Sequence, residues 1–156
     1  MSVEAVRVYS GIDTLLATGA SSGSTLTLDD IKADNTAYAA NAAAIRTRLG
    51  KDGDATFHLL SGVEVRAPGD LTLGQDWNLS TARAGGESGV LTLKAENNLA
   101  INASLSDGFA QATPMKSGSN PAELLSNASW SYRLAAGADA GAADPLAVRA
   151  AAGDLT

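Results

Sequence analysis

Val63-Glu64-Val65-Arg66-Ala67-Pro68-Gly69-Asp70-Leu71-Thr72-Leu73-Gly74-Gln75-Asp76-Trp77-Asn78 is written again, in outline, from Leu91 to Ser106. Aligned without gaps, Val63, Val65, Arg66, Ala67, Asp70, Leu71 and Leu73 meet Leu91, Leu93, Lys94, Ala95, Asn98, Leu99 and Ile101, and Trp77 meets Leu105. With one extra alanine, Leu146, Val148, Arg149, Ala150, Gly153, Asp154 and Leu155 fit the same frame. The shared template is apolar-x-apolar-basic-Ala, a Gly/Asn/Asp turn, then Leu-x-apolar. Alternating apolar residues at every second place mark short strands, and the turn residues mark corners. A repeated strand–turn–strand unit is the sequence signature of a solenoid.

Outward from the repeats, residues 3–9 alternate as a strand, and residues 18–25 form a Gly/Ser/Thr loop. The period then changes. Ile31, Tyr38, Ala42, Ile45 and Leu49 fall on one helical face, Thr27 and Asp30 have capping-box spacing, and Gly50 stands at the C-terminal cap. These predict a single helix at about 29–49, with Tyr38, Ile45 and Leu49 turned inward to cover one end or flank of the strands. Phe57 to Leu60 re-enters strand, and Ser129 to Leu134 alternates again. Irregular loops are expected at 82–89 and 107–128, the second with a helical turn at Pro121 to Leu125. The fold expected is mainly β: a right-handed parallel β-helix (β-solenoid) with one embedded α-helix, residues 1–156 forming a single unit with a helical insertion at 27–50. Asp154-Leu155-Thr156 stops where its counterparts continue, so the chain reads as a piece of something longer.

Composition narrows the function. A net charge of −6, with eleven Lys and Arg scattered along the chain, is opposite to the concentrated basic face that nucleic acid requires. No run approaches the ~20 apolar residues of a membrane-spanning helix, so no membrane insertion is expected. Cysteine is absent, which excludes disulfides, thiolate zinc sites and a Cys nucleophile. His58 is the sole histidine, so a His-based metal cluster cannot form, and no Gly-x-Ser-x-Gly elbow is present. No cofactor, metal or catalytic residue is expected.

Three groups of residues remain to be weighed. Glu64, Arg66, Asp70 and Asp76 could gather as in carbohydrate-active β-helix enzymes, yet Glu64 meets Thr92 and Asp76 meets Ser104 in the next copy. Asp70, Asn98 and Asp154 invite a calcium ladder, but the Gly-Gly-x-Gly-x-Asp repeat is missing. A turn role, with each side chain bonding its own backbone, is the expectation. Among the aromatics, Trp77 aligns with Leu105 and reads as core. Trp130 and Tyr132 share one strand face and are the candidates for contact with a glycan or a protein partner.

The phrases Phe57-His58-Leu59-Leu60-Ser61-Gly62-Val63-Glu64-Val65, Gly69-Asp70-Leu71-Thr72-Leu73, Asp76-Trp77-Asn78-Leu79-Ser80-Thr81, Gly89-Val90-Leu91-Thr92-Leu93, Ser104-Leu105-Ser106-Asp107-Gly108-Phe109 and Ser129-Trp130-Ser131-Tyr132-Arg133-Leu134 occur in this order. In them the chain resembles the filamentous-haemagglutinin-family exoproteins of Gram-negative bacteria, from about residue 27 to its end. The resemblance implies a segment of a long protein exported by two-partner secretion through an outer-membrane secretion partner, and displayed at the cell surface. Its role would be a shaft or scaffold for adhesion to host or bacterial cell-surface glycan or protein. The alternatives are a carbohydrate-active β-helix enzyme and a carrier stalk for a contact-dependent toxin.

Overall fold

A computed structural model describes residues 1–110, 123–124, 128–144 and 146–156. The described chain is mostly short strands in parallel sheets, with two α-helices. Its elements are β1 (Ser2–Ser10), β2 (Thr14–Leu16), β3 (Thr25–Thr27), α1 (Leu28–Ala40), α2 (Ala42–Arg48), β4 (His58–Ala67), β5 (Leu71–Leu73) and β6 (Trp77–Asn78). A 3-10 turn (Leu79–Ala82) leads to β7 (Val90–Ala95), β8 (Leu99–Ile101) and β9 (Leu105–Ser106). The last three are β10 (Phe109–Ala110), β11 (Glu123–Leu124) and β12 (Ser131–Ala135).

The first sheet has the order β1-β4-β7-β12 and the second β3-β2-β5-β8, all neighbours parallel; β6 pairs with β9, also parallel. Only β10 with β11 is antiparallel among these named pairs. The alignment of the first two copies is the pairing register. Val63 lies beside Leu91, Val65 beside Leu93, Leu71 beside Leu99, Leu73 beside Ile101 and Trp77 beside Leu105. Strand β1 extends the ladder, with Arg7 beside Val63 and Tyr9 beside Val65. Because parallel pairing places like residues side by side, every second side chain falls in a column, and Val63, Val65, Leu71, Leu73, Leu91, Leu93 and Leu99 seal one core with Trp77. The Trp77 indole donates to the Leu16 carbonyl at 2.8 Å, so its one polar atom is satisfied inside.

The corners are held by a device other than the expected one. Asp70 Oδ1 accepts the Asn98 N–H at 3.0 Å, and Asn98 Oδ1 accepts the Asp154 N–H at 2.9 Å. Asp76 Oδ1 likewise accepts the Ser104 N–H at 2.7 Å. Each side chain therefore bonds the backbone of the following copy, where a self-contained turn would bond its own. Stacked in register, the next copy's corner N–H lies within reach of a short Asx side chain.

Two further expectations are corrected. The helix is broken at Asn41 (φ −93°, ψ 0°), whose Nδ2 donates to Ala37 O at 2.9 Å while its N–H turns to Tyr38 O at 3.0 Å. A short amide side chain competing for backbone partners interrupts the i to i−4 ladder. Thr27 does cap α1, accepting the Asp30 N–H at 3.3 Å, and Gly50 follows α2 at φ +63°. Helix α1 buries Leu28, Ile31 and Asn35 against the 3-10 turn, the Asn35 Nδ2 donating to Ala82 O at 2.6 Å. Tyr38 and Ile45 are half-buried, whereas Leu49 is exposed.

The third copy holds only in its second half. Leu155 pairs parallel with Leu99, but Leu146 and Val148 are exposed, and Val148 bridges antiparallel to Ala138. Their expected place beside Leu91 and Leu93 is taken by Tyr132 and Leu134 of β12. Tyr132-Arg133-Leu134-Ala135 carries the same alternation, and it runs directly into Gly137, whose N–H donates to Asn97 O at 2.8 Å. Residues 138–152 are then an excursion, closed where Gly137 and Gly153 meet. A Cβ on Gly153 would stand 2.1 Å from Gly137 N. In the 82–89 loop, Gly85 and Gly86 are exposed at a turn, while Ala82, Ala84 and Gly89 are buried. Of the helical turn expected at Pro121 to Leu125, the described residues Glu123–Leu124 are strand β11 instead, and residues 111–122 and 125–127 lie outside the described residues.

Candidate functional site

The two aromatics expected to form a contact surface are separated by burial. Trp130 precedes β12, is 3% exposed, and lies over Gly89, where a Cβ would meet its ring at 2.7 Å. Its N–H donates to Asp107 Oδ2, itself buried, and its indole Nε1 has no partner. Trp130 is therefore a core side chain, and the shared contact face expected of it is overturned: the glycine at position 89 leaves the hole that its ring fills. Tyr132 is 37% exposed and remains available. Burial first, then the neighbouring Asp107 carboxylate, pushes its hydroxyl well above the usual tyrosine range, so it stays a neutral donor.

The polar residues weighed for chemistry are dispersed. Glu64 Oε1 holds Arg66 at 2.7 Å and, across the strand pair, Lys94 at 3.2 Å. Burial raises its carboxyl, and the hydrogen bonds and charges of Arg66 and Lys94 more than offset this, leaving it below its ordinary value. Asp70 and Asp76 are committed to backbone N–H groups elsewhere. Arg149, aligned with Arg66 and Lys94 in the repeat frame, reaches Glu96 at 2.6 Å from within the excursion. His58 pairs through Nδ1 with Glu87 at 2.9 Å on the surface. Among the described residues no group of three His, Cys, Asp or Glu side chains is placed to hold a metal ion.

The structure assembles a different polar cluster between β1 and α1, which the sequence reading did not single out. Asp34 Oδ2 accepts the Tyr9 hydroxyl at 2.6 Å and the Arg7 Nε at 2.7 Å, and the Arg7 guanidinium lies 5.5 Å from the Tyr9 ring centroid. Burial, and then the bond to Asp34, raises the Tyr9 hydroxyl far above the ordinary tyrosine value. One turn earlier on α1, Asp30 takes hydrogen bonds from Ser21 and Thr27 that hold its carboxyl below the ordinary range. Two cavities of about 380 Å³ each open beside this cluster. Arg7 and Asp34 line both; Ala5, Tyr38, Asn41 and Ser61 complete one, and Tyr9, Leu26 and Asp30 the other. The legible signal was parity. Arg7 and Tyr9 share one strand face, and Asp30 and Asp34 share one helix face.

No protein-family model, curated protein or solved structure matches the chain.

Proposed function

We propose that this chain is a β-solenoid segment of a secreted bacterial surface exoprotein, serving as shaft or display scaffold in cell attachment. The parallel sheets are read as successive faces of one right-handed β-helix. Its turns are the units led by β1, β4, β7 and β12. The observation that carries the reading is the single pairing register shared by three faces, Val63–Leu91, Leu71–Leu99 and Trp77–Leu105, in units 28 residues apart. Like residues stacked in columns, with Asx side chains tying each corner to the next, give a rod whose length grows with the number of units and whose surface is free to vary. The resemblance of the repeat phrases to filamentous-haemagglutinin-family exoproteins supports the adhesive setting, with an outer-membrane secretion partner and a cell-surface glycan or protein as receptor. Tyr132 and the exposed Leu146 and Val148 of the excursion offer surface for such contact.

Duplicating residues 62–89 in frame tests the architecture. A solenoid accepts the extra unit as one more turn, lengthening by about 4.8 Å with new slow-exchanging amides. An insert that stays exchange-labile, or unfolds the protein, contradicts it. Cell-binding and particle length of the parent exoprotein, with and without residues 1–156, test the role; loss of neither contradicts it.

A further inference from the structure

The cavity between α1 and the β1–β4 pair has no role in the scaffold reading. Both its walls belong to the described chain. Ala5 lies beside Ser61, and by strand alternation the two share the face on which Arg7 and Tyr9 meet Asp34 of α1. The Ser61 hydroxyl therefore stands in the wall of a cavity of about 380 Å³, toward the lower end of the ~300–1,000 Å³ range of small-molecule sites. Ser61 is 3% exposed, and among the described residues its Oγ has no hydrogen-bond partner. A buried hydroxyl without a partner is costly, and a polar group seated in the cavity would relieve it.

The other groups of the wall define what that ligand carries. Arg7 spends its Nε on Asp34, so its terminal nitrogens are left to donate. Asp34 takes both Tyr9 and Arg7 on Oδ2, so Oδ1 is left to accept. Asn41, at the break between the helices, spends its Nδ2 on Ala37 O and likewise keeps its Oδ1. Donors and acceptors thus stand side by side, with the charges of Arg7 and Asp34 cancelling. A cation is repelled by the guanidinium and an anion by the carboxylate, whereas a hydroxyl both donates and accepts. Ala5, Val6, Ala37 and Tyr38 add apolar wall against which a C–H face can lie.

We propose that this cavity binds one pyranose ring, a neutral molecule with hydroxyls around its edge and C–H groups on its faces. One hydroxyl meets Ser61 and others meet the Arg7–Asp34 pair. That the ring is the terminal sugar of a cell-surface glycan rests on the attachment reading above; the cavity itself does not.

The probes are methyl glucopyranoside, galactopyranoside and mannopyranoside, titrated into the isotopically labelled full chain. Cyclohexylamine and cyclohexanecarboxylate serve as charged rings of similar size. At least one glycoside is expected to shift the Ser61, Gly62 and Asn41 amides saturably, and to bind tighter than either charged ring. Ser61→Ala should weaken it about three- to tenfold without lowering Tm, because the hydroxyl removed has no protein partner to lose. Ala37→Leu, at an exposed helix position that tolerates leucine, should fill the cavity and abolish binding with the fold kept. No glycoside binding, shifts at another surface, tighter binding of a charged ring, or undiminished binding by either variant overturns the proposal. The bound glycoside is then presented as the terminal unit of an immobilised oligosaccharide. Capture of the chain, lost in Ala37→Leu, supports the glycan source, and binding of the free glycoside alone overturns that source. Neither result bears on the duplication of residues 62–89, so the site and the scaffold fail separately.

Discussion

At the β1 end of the first sheet, the columns of Val63 and Val65 stop on Arg7 and Tyr9, whose polar heads are gathered by Asp34 of α1. At the β12 end the columns of Leu91 and Leu93 stop on Tyr132 and Leu134, which are 37% and 38% exposed, with Leu155 exposed beside them. The two terminations solve the same problem differently. Stacked strands leave an apolar cross-section at each end. Long amphipathic side chains can close it, stems inward and heads bonded, or apolar side chains can be left in water at roughly 25 cal/mol per Å². Among the described residues the apolar cross-section is covered by a helix at the first end and partly exposed at the second.

The largest expected effect tests this contrast within one column. Leu93 is fully buried between Val65 and Leu134, so Leu93→Ala should cost about 2–5 kcal/mol. Leu134→Ala, at the end of that column, should cost less, about 1–2 kcal/mol, because 38% of the residue is already exposed. Chemical denaturation measures both. Comparable losses would mean that the β12 end is covered in solution and the contrast between the ends is false.

Much of this was legible, and the parts that were not share a cause. Ungapped copies gave the register directly, because parallel pairing converts a sequence repeat into neighbours with no intermediate geometry. The capping pair Thr27 and Asp30, and Gly50 at positive φ, were legible because each is a local rule. What failed was competition. Two segments, 131–135 and 146–150, carried the same alternation, and composition alone could not rank them. Nor could it show that Gly89 leaves room for Trp130, because the fit involves residues 41 positions apart. Asn41 sits mid-pattern in an alanine-rich run that favours a continuous helix, yet its side-chain bond to Ala37 O accompanies the break. The Arg7–Asp34–Tyr9 cluster joins a strand and a helix distant in sequence, and no motif spans them.

Gly89 sharpens the comparison from the β12 side. A Cβ there would stand 2.4 Å from the Ser61 carbonyl and 2.7 Å from the Trp130 ring. Gly89→Ala should therefore cost about 1–3 kcal/mol and shift Trp130 fluorescence toward that of an exposed indole. Gly85→Ala, at φ +60° in open space, is strained by its backbone alone and should leave the tryptophan signal unchanged. Next in size is the corner ladder. Asn98→Ala deprives the Asp154 N–H of its acceptor and should cost about 1 kcal/mol. Exchange should quicken at Asp154 while the Asn98 amide, still held by Asp70, is spared. Equal quickening at both would show the ladder to be incidental to the register.

The smallest effect distinguishes the ends by pH. Tyr9 and Tyr132 both have hydroxyls raised by burial first and then by an aspartate, Asp34 or Asp107. A folded-state value above the unfolded one means that the native protein holds the proton more tightly. That contribution is fully present below the ordinary 10.0 and is lost as pH rises past it. Either tyrosine changed to phenylalanine should therefore flatten the alkaline fall in stability. At neutral pH the two variants should part. Tyr9→Phe removes a bond that ties α1 to the sheet and should cost about 0.5–1.5 kcal/mol, with faster exchange in Leu28–Ala40. Tyr132→Phe loosens no helix, so its exchange changes should stay within β12 and its neighbours. If both variants loosen α1, or neither does, the helix is not what closes the β1 end, and the asymmetry drawn between the two terminations fails at its origin.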